Sequence, residues 1–288
     1  MERILLSIGH GYAAESVARA LGSDWRVLAT TRRPERAAAL AEAGHEAVVW
    51  SPEGDPKAVQ SALARATHLI SSVAPDEDGD PVAAALAPRI GAAGRLRWIG
   101  YLSATSVYGD AGGGWIDEHT PPAPGSARGQ ARVEAERAWQ ALAARAGVPV
   151  ALLRIAGIYG PGRSALDQLR RGRAHRIDKP GQVFSRIHVE DLGRIVAAAA
   201  AQEAAGAFNL CDAMPAPPQD VVAYAAEIAG LPCPPLVPFD EADLSPMARS
   251  FYAENKRTRS VRVGPELGVA LRHPDYRSGL QAIRSAEG

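Results

Sequence analysis

The sequence predicts an α/β protein with a doubly wound parallel sheet and a smaller C-terminal cap domain. Within residues 1–160, short runs rich in Ile, Val and Leu alternate with Ala-rich amphipathic stretches, and this alternation indicates a parallel sheet covered by helices on both faces. Most of the runs are apolar at successive positions, which is typical of strands buried on both sides. About six such runs precede Tyr159, and six is the strand number of a doubly wound nucleotide-binding sheet.

The predicted elements follow in a regular order. The strand-like runs are RILLSIG, WRVLATT, EAVVW, THLISSV, RWIGYLS and VPVALLRI. The predicted helices lie between these runs and cover residues 12–21, 34–44, 56–64, 81–90 and 126–146. After Gly160 many prolines break the pattern into shorter pieces. We therefore expect a Rossmann-type domain over residues 1–160, with 183–212 returning to it, and a smaller substrate or cap domain over 161–288.

Composition excludes several classes of partner. The chain has 288 residues, of which 47% are hydrophobic, so it can bury an ordinary globular core. Lys and Arg total 32 and so do Asp and Glu, which leaves no net field to attract nucleic acid or an anionic membrane. The seven histidines are scattered without metal-ligand spacing, so no metal is predicted. Two cysteines and a short apolar start indicate a cytoplasmic protein.

The first strand runs directly into a Gly-rich segment and then a helix. The segment matches Gly-x-Gly-x-x-Ala, in which the first Gly makes a tight turn, the second lets the backbone approach a pyrophosphate, and the Ala allows close helix packing. The free amides of the helix start then meet the phosphate charge. Such turns also occur for structural reasons alone, but this position predicts dinucleotide binding. The cofactor-binding candidates are Gly9, His10, Gly11, Tyr12, Ala13 and Ala14.

The end of the second strand indicates which dinucleotide is preferred. Thr31, Arg32 and Arg33 stand where a fold that prefers NAD usually has an Asp or Glu for the ribose hydroxyls. A guanidinium suits a 2′-phosphate because it pairs with phosphate oxygens bidentately. The alternative is that both arginines are merely solvated. We expect NADP, with NAD less favoured.

Motifs along the whole chain resemble those of one enzyme family. These are SATSVYG at residues 103–109, ARGQARVEAE at 127–136, LLRIAGIYGPGR at 152–163, RIHVEDLGRIV at 186–196, GAFNLCD at 206–212, and a tail with ELG and HPDYRSGLQAI. Together they resemble the extended, epimerase-like short-chain dehydrogenases/reductases. The resemblance implies a dinucleotide pocket that includes Ile155 and Ala156, with Ser72 and Val73 after the fourth strand as further candidates. It also implies a substrate side that includes His188.

The resemblance fails at the catalytic positions. In the family a Ser or Thr, a Tyr and a Lys orient the substrate oxygen and exchange its proton. Counting along the matching motifs places Ala104, Arg128 and Arg132 in those three positions. A methyl group and two guanidiniums cannot supply this proton chemistry.

Two interpretations of these arginines remain open. They lie four residues apart on one helix face and could clamp an anionic substrate, with Ser103 and Thr105 as further contacts and Tyr108 or Tyr159 moving the proton. Alternatively, Arg132 pairs with Glu136 and Arg128 faces solvent.

The sequence thus supports two hypotheses of function. The first is an NADP-dependent oxidoreductase or epimerase-like enzyme that acts on an anionic small molecule through a non-standard active site. The second is a non-catalytic protein that senses NADP(H) and changes its interactions. The resemblance also implies a possible homodimer formed through the helix that carries Arg128.

Overall fold

The computed structural model of the chain describes residues 2–287. Its strands are β1 (Arg3–Ile8), β2 (Trp25–Thr31), β3 (Glu46–Val49), β4 (His68–Ser71), β5 (Trp98–Ala104), β6 (Trp115–Ile116), β7 (Val150–Ile155), β8 (Gly157–Tyr159), β9 (Arg176–Asp178), β10 (Arg186–His188), β11 (Gly206–Leu210), β12 (Leu236–Pro238) and β13 (Arg257–Thr258).

Its α-helices are α1 (Tyr12–Ala20), α2 (Ala37–Glu42), α3 (Lys57–Arg65), α4 (Pro81–Leu86), α5 (Ala127–Ala146), α6 (Ala165–Arg170), α7 (Val189–Ala201), α8 (Pro218–Ala229), α9 (Pro246–Phe251), α10 (Val263–Leu267) and α11 (Tyr276–Ser285). Three short 3-10 turns cover Pro34–Arg36, Ile90–Ala92 and Thr105–Tyr108. The helix expected over residues 81–90 therefore ends at Leu86 and is followed by a 3-10 turn.

Seven parallel strands form the central sheet, in the order β11-β7-β5-β4-β1-β2-β3. This confirms the predicted fold class, a doubly wound sheet with helices on both faces. The seventh strand, β11, pairs with β7 at the edge of the sheet and comes from the segment 183–212. The strand order reverses between β1 and β4, and ligands of open α/β sheets bind at the carboxyl ends of the strands at such a point.

The side chains of β1 show how the sheet is covered. Ile4, Leu6 and Ile8 pack into a core with α3, α4 and α5, whereas Leu5 on the opposite face packs with α1 and α7. Because successive side chains of a strand point to opposite faces, this continuous apolar run serves both layers. The sequence signal of a doubly buried strand thus has its physical cause in the two helix layers.

The strands outside the main sheet are short. Three parallel pairs, β8 with β10, β9 with β12 and β6 with β13, lie outside the main sheet. A separate apolar cluster joins α6, α8 and α11 through Leu166, Ala225 and Leu280. None of the helices within residues 2–287 is long and apolar enough to cross a membrane.

Candidate cofactor and substrate site

The turn after β1 is held from two sides. Gly9 has a φ of +75°, and a Cβ there would lie 2.7 Å from the Val73 side chain, so this position requires glycine. The Gly9 amide donates to the Thr30 hydroxyl at 2.9 Å, and the Ser72 hydroxyl donates to the Gly9 carbonyl. The ends of β2 and β4 therefore fix the turn at the point where the strand order reverses.

The start of α1 is left open. Gly11 is its N-cap residue and no side chain caps the helix, so the first amides lack the partner that a capping side chain would supply. The nearest atom to a Cβ on Gly11 would be the Gly9 carbonyl oxygen, at 3.8 Å. Ala14 is fully buried, and the Tyr12 hydroxyl donates to the Pro161 carbonyl at 3.0 Å. Ala13 packs against the core beside α7.

His10 contributes its backbone to this loop, but its ring turns inward. The ring is bonded to Ser7 at 2.8 Å and to Glu15 at 3.0 Å, and Glu15 also binds His45 at 3.0 Å. Burial alone would raise the pKa of Glu15, but hydrogen bonds from His10, His45 and Arg19 lower it to about 2. The buried ring of His10 thus anchors the loop to the protein interior.

The end of β2 exposes two arginines. Thr31 is buried, and its hydroxyl accepts from the Arg33 amide at 3.2 Å. Arg32 and Arg33 are exposed, and the nearest carboxylate oxygen to Arg33 belongs to Glu35, at 4.0 Å from Nε. Arg36 was not singled out from the sequence, yet its charge is among those that lower the pKa of His10, after the larger effect of burial. A third guanidinium therefore lies near the loop.

Residues 103–109, which we call the wall, match the family's catalytic motif and begin at the end of β5. Ala104 is its last residue and lies opposite Ile155 of β7, and both Ile155 and Ala156 are buried. Thr105 opens the 3-10 turn that follows and is partly buried. The Ser103 hydroxyl donates to Glu136 at 2.6 Å. This hydroxyl is therefore committed to a protein carboxylate.

The two arginines of α5 have different environments. Arg132 is buried and donates to the Tyr101 hydroxyl at 2.7 Å and to the Leu102 carbonyl at 3.3 Å. Arg128 is exposed, and its guanidinium lies 5.3 Å from the ring centre of Phe251. The alternative in which Arg132 pairs with Glu136 is wrong, because Glu136 binds Arg154 instead. The structure therefore does not form a two-arginine clamp, and only Arg128 reaches solvent.

A buried ion pair behind the wall was missed from the sequence. Arg154 donates to both oxygens of Glu136, at 3.0 and 2.8 Å, and also to the Tyr108 hydroxyl at 3.0 Å. The pattern offered one signal, since Arg154 is a charge inside an otherwise apolar strand, where an unpaired charge would be costly.

The two tyrosines expected to move the proton both donate their hydroxyl groups to protein oxygens. The Tyr108 hydroxyl donates to the Asn209 side-chain oxygen at 2.8 Å, and burial raises the pKa of Tyr108 despite the bond from Arg154. The Tyr159 hydroxyl donates to the Asp275 carbonyl at 3.2 Å, and burial raises the pKa of this phenol too. A general acid that works near neutral pH needs the opposite shift, so this geometry does not favour either tyrosine.

His188 ends β10 and caps α7. Its Nδ1 accepts from the Glu190 amide at 3.3 Å, and within residues 2–287 its Nε2 has no hydrogen-bond partner. Burial, together with the charge of His273, lowers the pKa of His188 to about 4. The ring also lies edge-on to Tyr159, with centroids 5.2 Å apart. His188 is therefore neutral and buried beside Tyr159.

Within residues 2–287, two side-chain groups are compact enough to hold a metal ion. They are His10, Glu15 and His45 beside residues 9–14, which we call the Gly loop, and His188, Glu190 and His273 at the start of α7. Neither group shows metal-ligand spacing along the chain, because each combines residues from separate segments.

The comparisons with known proteins agree with this fold. The model of the NAD dependent epimerase/dehydratase family matches residues 9–211. A conserved protein of unknown function from Silicibacter pomeroyi DSS is 51% identical, with a TM-score of 0.89 over 99% of each chain. The chain therefore belongs to the NAD dependent epimerase/dehydratase family.

More distant structures share the fold. MoeE5 in complex with UDP-glucose and NAD is 21% identical, with a TM-score of 0.79 over 99% of this chain and 100% of that one. The dTDP-glucose 4,6-dehydratase from Bacillus anthracis, in complex with NAD, is 14% identical, with a TM-score of 0.79 over 99% and 96% of the two chains. No curated protein sequence matches the chain.

Proposed function

We propose that this chain binds NADP(H) at the Gly loop and acts as an oxidoreductase or epimerase-like enzyme on an anionic small molecule. The observation that carries the proposal is the open start of α1 beside the exposed Arg32. Free helix amides suit a pyrophosphate, and Gly11 leaves room for one to approach. The NAD-bound state of two structural neighbours supports a dinucleotide at this position.

The 2′-phosphate is the basis for choosing NADP. Residues 30–33 read Thr-Thr-Arg-Arg and contain no carboxylate that would bind a ribose hydroxyl or repel a phosphate. Arg32 and Arg33 are exposed, and the charge of Arg36 acts on the adjacent His10. Arg33 has one carboxylate neighbour, Glu35, whose oxygen lies 4.0 Å from Nε. Exposed guanidiniums pair bidentately with phosphate oxygens, so this group of arginines favours a phosphate dianion.

Arg128 is the residue that we assign to the substrate. When bound, the nicotinamide supplies a hydride donor or acceptor. Arg128 lies in the first turn of α5, is exposed, and is steadied by the Phe251 ring, so it can bind an anionic group of a substrate. Because Tyr108 and Tyr159 have raised pKa values, we assign proton exchange to solvent at the exposed start of α5. The UDP-glucose of one neighbour makes nucleotide sugars the first substrates to test.

Calorimetric titration with NADP, NADPH, NAD and NADH tests the cofactor assignment. We expect Arg32→Ala to weaken NADPH binding roughly ten- to a hundredfold, the value of one charge-assisted bidentate contact, and to leave NADH binding unchanged. Arg284→Ala, an exposed arginine of α11, is the matched control. Equal NADPH affinity in both variants would contradict the 2′-phosphate assignment, and absence of binding by all four nucleotides would contradict the cofactor proposal itself.

A non-catalytic NADP(H)-responsive protein is the second candidate. The observation that favours it is the commitment of both buried phenols to protein hydrogen bonds. NADPH absorbance with UDP-glucose, keto acids and aldehydes distinguishes the two functions, and Arg128→Ala should abolish a true turnover. Light scattering with and without NADPH tests the responsive protein and the proposed homodimer. No turnover together with a cofactor-dependent change of assembly would favour the second candidate.

A further inference from the structure

Three side chains of the kinds that bind metals meet beside the Gly loop. His10 lies in that loop, Glu15 in the first turn of α1, and His45 directly before β3. Oε2 of Glu15 lies 3.0 Å from Nε2 of His10 and 3.0 Å from Nε2 of His45. The centroids of the two imidazole rings are 4.9 Å apart. One carboxylate oxygen therefore joins two imidazole nitrogens that come from separate segments.

The spacing of these atoms suits a zinc ion. The three ligand atoms all lie within 4.8 Å of one another. Tetrahedral zinc has bonds of about 2.0–2.2 Å to nitrogen and oxygen, which place its ligand atoms roughly 3.3–3.5 Å apart. Small side-chain rotations are therefore enough to bring all three atoms onto one ion. Two imidazoles and one Glu are also a donor set that zinc uses in proteins.

The outer contacts of the cluster match those of metal ligands. Nδ1 of His10 lies 2.8 Å from the Ser7 hydroxyl oxygen, and Nε of Arg19 donates to the other Glu15 oxygen, Oε1, at 2.9 Å. A metal-bound histidine almost always donates its second ring nitrogen to an oxygen or water, and a metal-bound carboxylate is itself hydrogen-bonded. Ser7 and Arg19 thus hold His10 and Glu15 by the atoms that an ion would not use.

The cluster is open to solvent on one side. The side chain of His10 is 1% exposed, but that of His45 is 10% exposed and that of Glu15 is 25% exposed. A hydrated ion can therefore approach along Glu15 without any opening of the core.

The charges near the cluster limit which ion can bind. Glu15 is the one carboxylate among the three ligands, Arg19 already bonds it, and the charge of Arg36 also acts on His10. Mg²⁺ and Ca²⁺ require oxygen ligands, and a single shared carboxylate offers them little. Imidazole nitrogens suit Zn²⁺ instead.

We propose that His10, Glu15 and His45 form a binding site for Zn²⁺, with Nε2 of each histidine and Oε2 of Glu15 as ligands. The ion ties the Gly loop and the start of α1 to the chain between α2 and β3. The spacing of the histidines along the sequence predicts no metal, and the site departs from that expectation because the fold joins three segments. It does not rest on the cofactor proposal, since all three ligands belong to the protein.

Calorimetric titration of the full chain with ZnCl₂ tests the site, with untagged protein that has been stripped with EDTA and dialysed. Cys233 is exposed and thiols bind zinc, so every protein carries Cys233→Ser. We expect one zinc per chain at micromolar or tighter affinity, and no binding of Mg²⁺ or Ca²⁺ at millimolar concentration. Zinc at a hundredfold excess over its Kd should raise Tm by a few degrees.

The variant His45→Gln separates metal binding from hydrogen bonding. Glutamine keeps an N–H donor for Glu15 but lacks the imidazole, so zinc affinity should fall at least about tenfold while the Tm of the metal-free protein changes little. Glu15→Gln should weaken zinc by a similar factor. His119→Gln, at an exposed histidine outside the cluster, is the matched control and should keep the full affinity.

Three outcomes would overturn the site. They are no zinc binding, equal zinc affinity in His45→Gln and His119→Gln, which would indicate adventitious binding at the surface, and binding of Mg²⁺ as tight as that of Zn²⁺. Thermal unfolding without metal establishes that each variant is folded. NADPH titration of the metal-free protein keeps the two proposals apart: NADPH binding without zinc binding overturns this site alone, and zinc binding without NADPH binding overturns only the cofactor proposal.

Discussion

The carboxyl ends of β1 and β2 differ from those of β5 and β7 in how their polar groups are satisfied. At the first pair the start of α1 has no side-chain cap and Arg32 is exposed. At the second pair the charges are buried and bonded to one another, as in the contact of Arg154 with Glu136. Polar groups left open at the point where the strand order reverses indicate a ligand site, whereas paired ones indicate scaffold.

This difference matters because both regions contain arginines. Arg132 and Arg154 have the residue type expected of an anion site, yet each is buried and donates to protein oxygens. Residue type alone therefore does not identify the binding residue. Exposure and the presence of a partner do, and these are the properties that the following substitutions test, taken from the largest expected effect on stability to the smallest.

Arg154→Met should have the largest effect. It leaves the Glu136 carboxylate buried without its cation, a change that typically costs about 3–5 kcal/mol. Arg170→Met is the matched control, since the Arg170 pair with Glu287 is exposed and should contribute less than about 1 kcal/mol. Urea unfolding of the two variants measures the difference. Similar losses in both would show that the ion pair behind the wall is not structural.

Low pH should decrease the free energy of unfolding of the whole fold. This limits the pH range in which the two regions can be compared. Burial, with the charges of Arg97 and Arg3, lowers the pKa of His68 to about 4. An unfolded histidine titrates near 6.5, so between these values the unfolded chain binds more protons and the free energy of unfolding decreases as pH falls from 6.5 to 4. The loss is on the order of 2 kcal/mol after allowance for solvent relaxation.

The variant His68→Gln isolates this contribution. Urea unfolding at pH 7.5 and pH 5 should show a smaller pH dependence in His68→Gln than in the unaltered protein. His119→Gln, at an exposed histidine, should keep the full dependence. If His68→Gln keeps it as well, the acid sensitivity belongs to other groups.

Arg132→Met and Arg128→Met separate the two arginines of α5. Arg132 makes two buried hydrogen bonds, so its loss should cost about 1–3 kcal/mol. Arg128 is exposed, so its loss should change stability by less than about 0.5 kcal/mol. Equal effects in urea unfolding would mean that both are scaffold, and the substrate assignment of Arg128 would then lose its basis.

The fold was predictable because it depends on local patterns. The apolar runs, the Gly-x-Gly-x-x-Ala segment and the Ala-rich helices each carry their signal within a few residues. The seventh strand, β11, lies outside the six apolar runs before Tyr159, because it is a short strand after α7 and its place in the sheet depends on pairing with β7.

The candidate site was less predictable because its contacts are long-range. Arg154 and Glu136 are 18 residues apart, and the Tyr108 hydroxyl meets Asn209 across 101 residues. Helical spacing suggested Arg132 as the partner of Glu136, but β7 presents Arg154 to the same carboxylate with bidentate geometry, which is the stronger arrangement. No pattern in the sequence shows which of these two arginines binds Glu136.

Gly11→Ala should have the smallest effect on stability and still impair the site. A Cβ at this position would come no closer than 3.8 Å to the nearest atom, so we expect a loss below about 1 kcal/mol, the cost of alanine at a helix N-cap. The added methyl would occupy the approach of the pyrophosphate and weaken NADPH roughly tenfold or more. Gly9→Ala gives the contrast, since its φ of +75° and its 2.7 Å contact should cost stability as well. A Gly11→Ala protein that binds NADPH normally would mean that the open end of α1 does not hold the phosphates, and the difference between the two regions would then have a cause other than the cofactor.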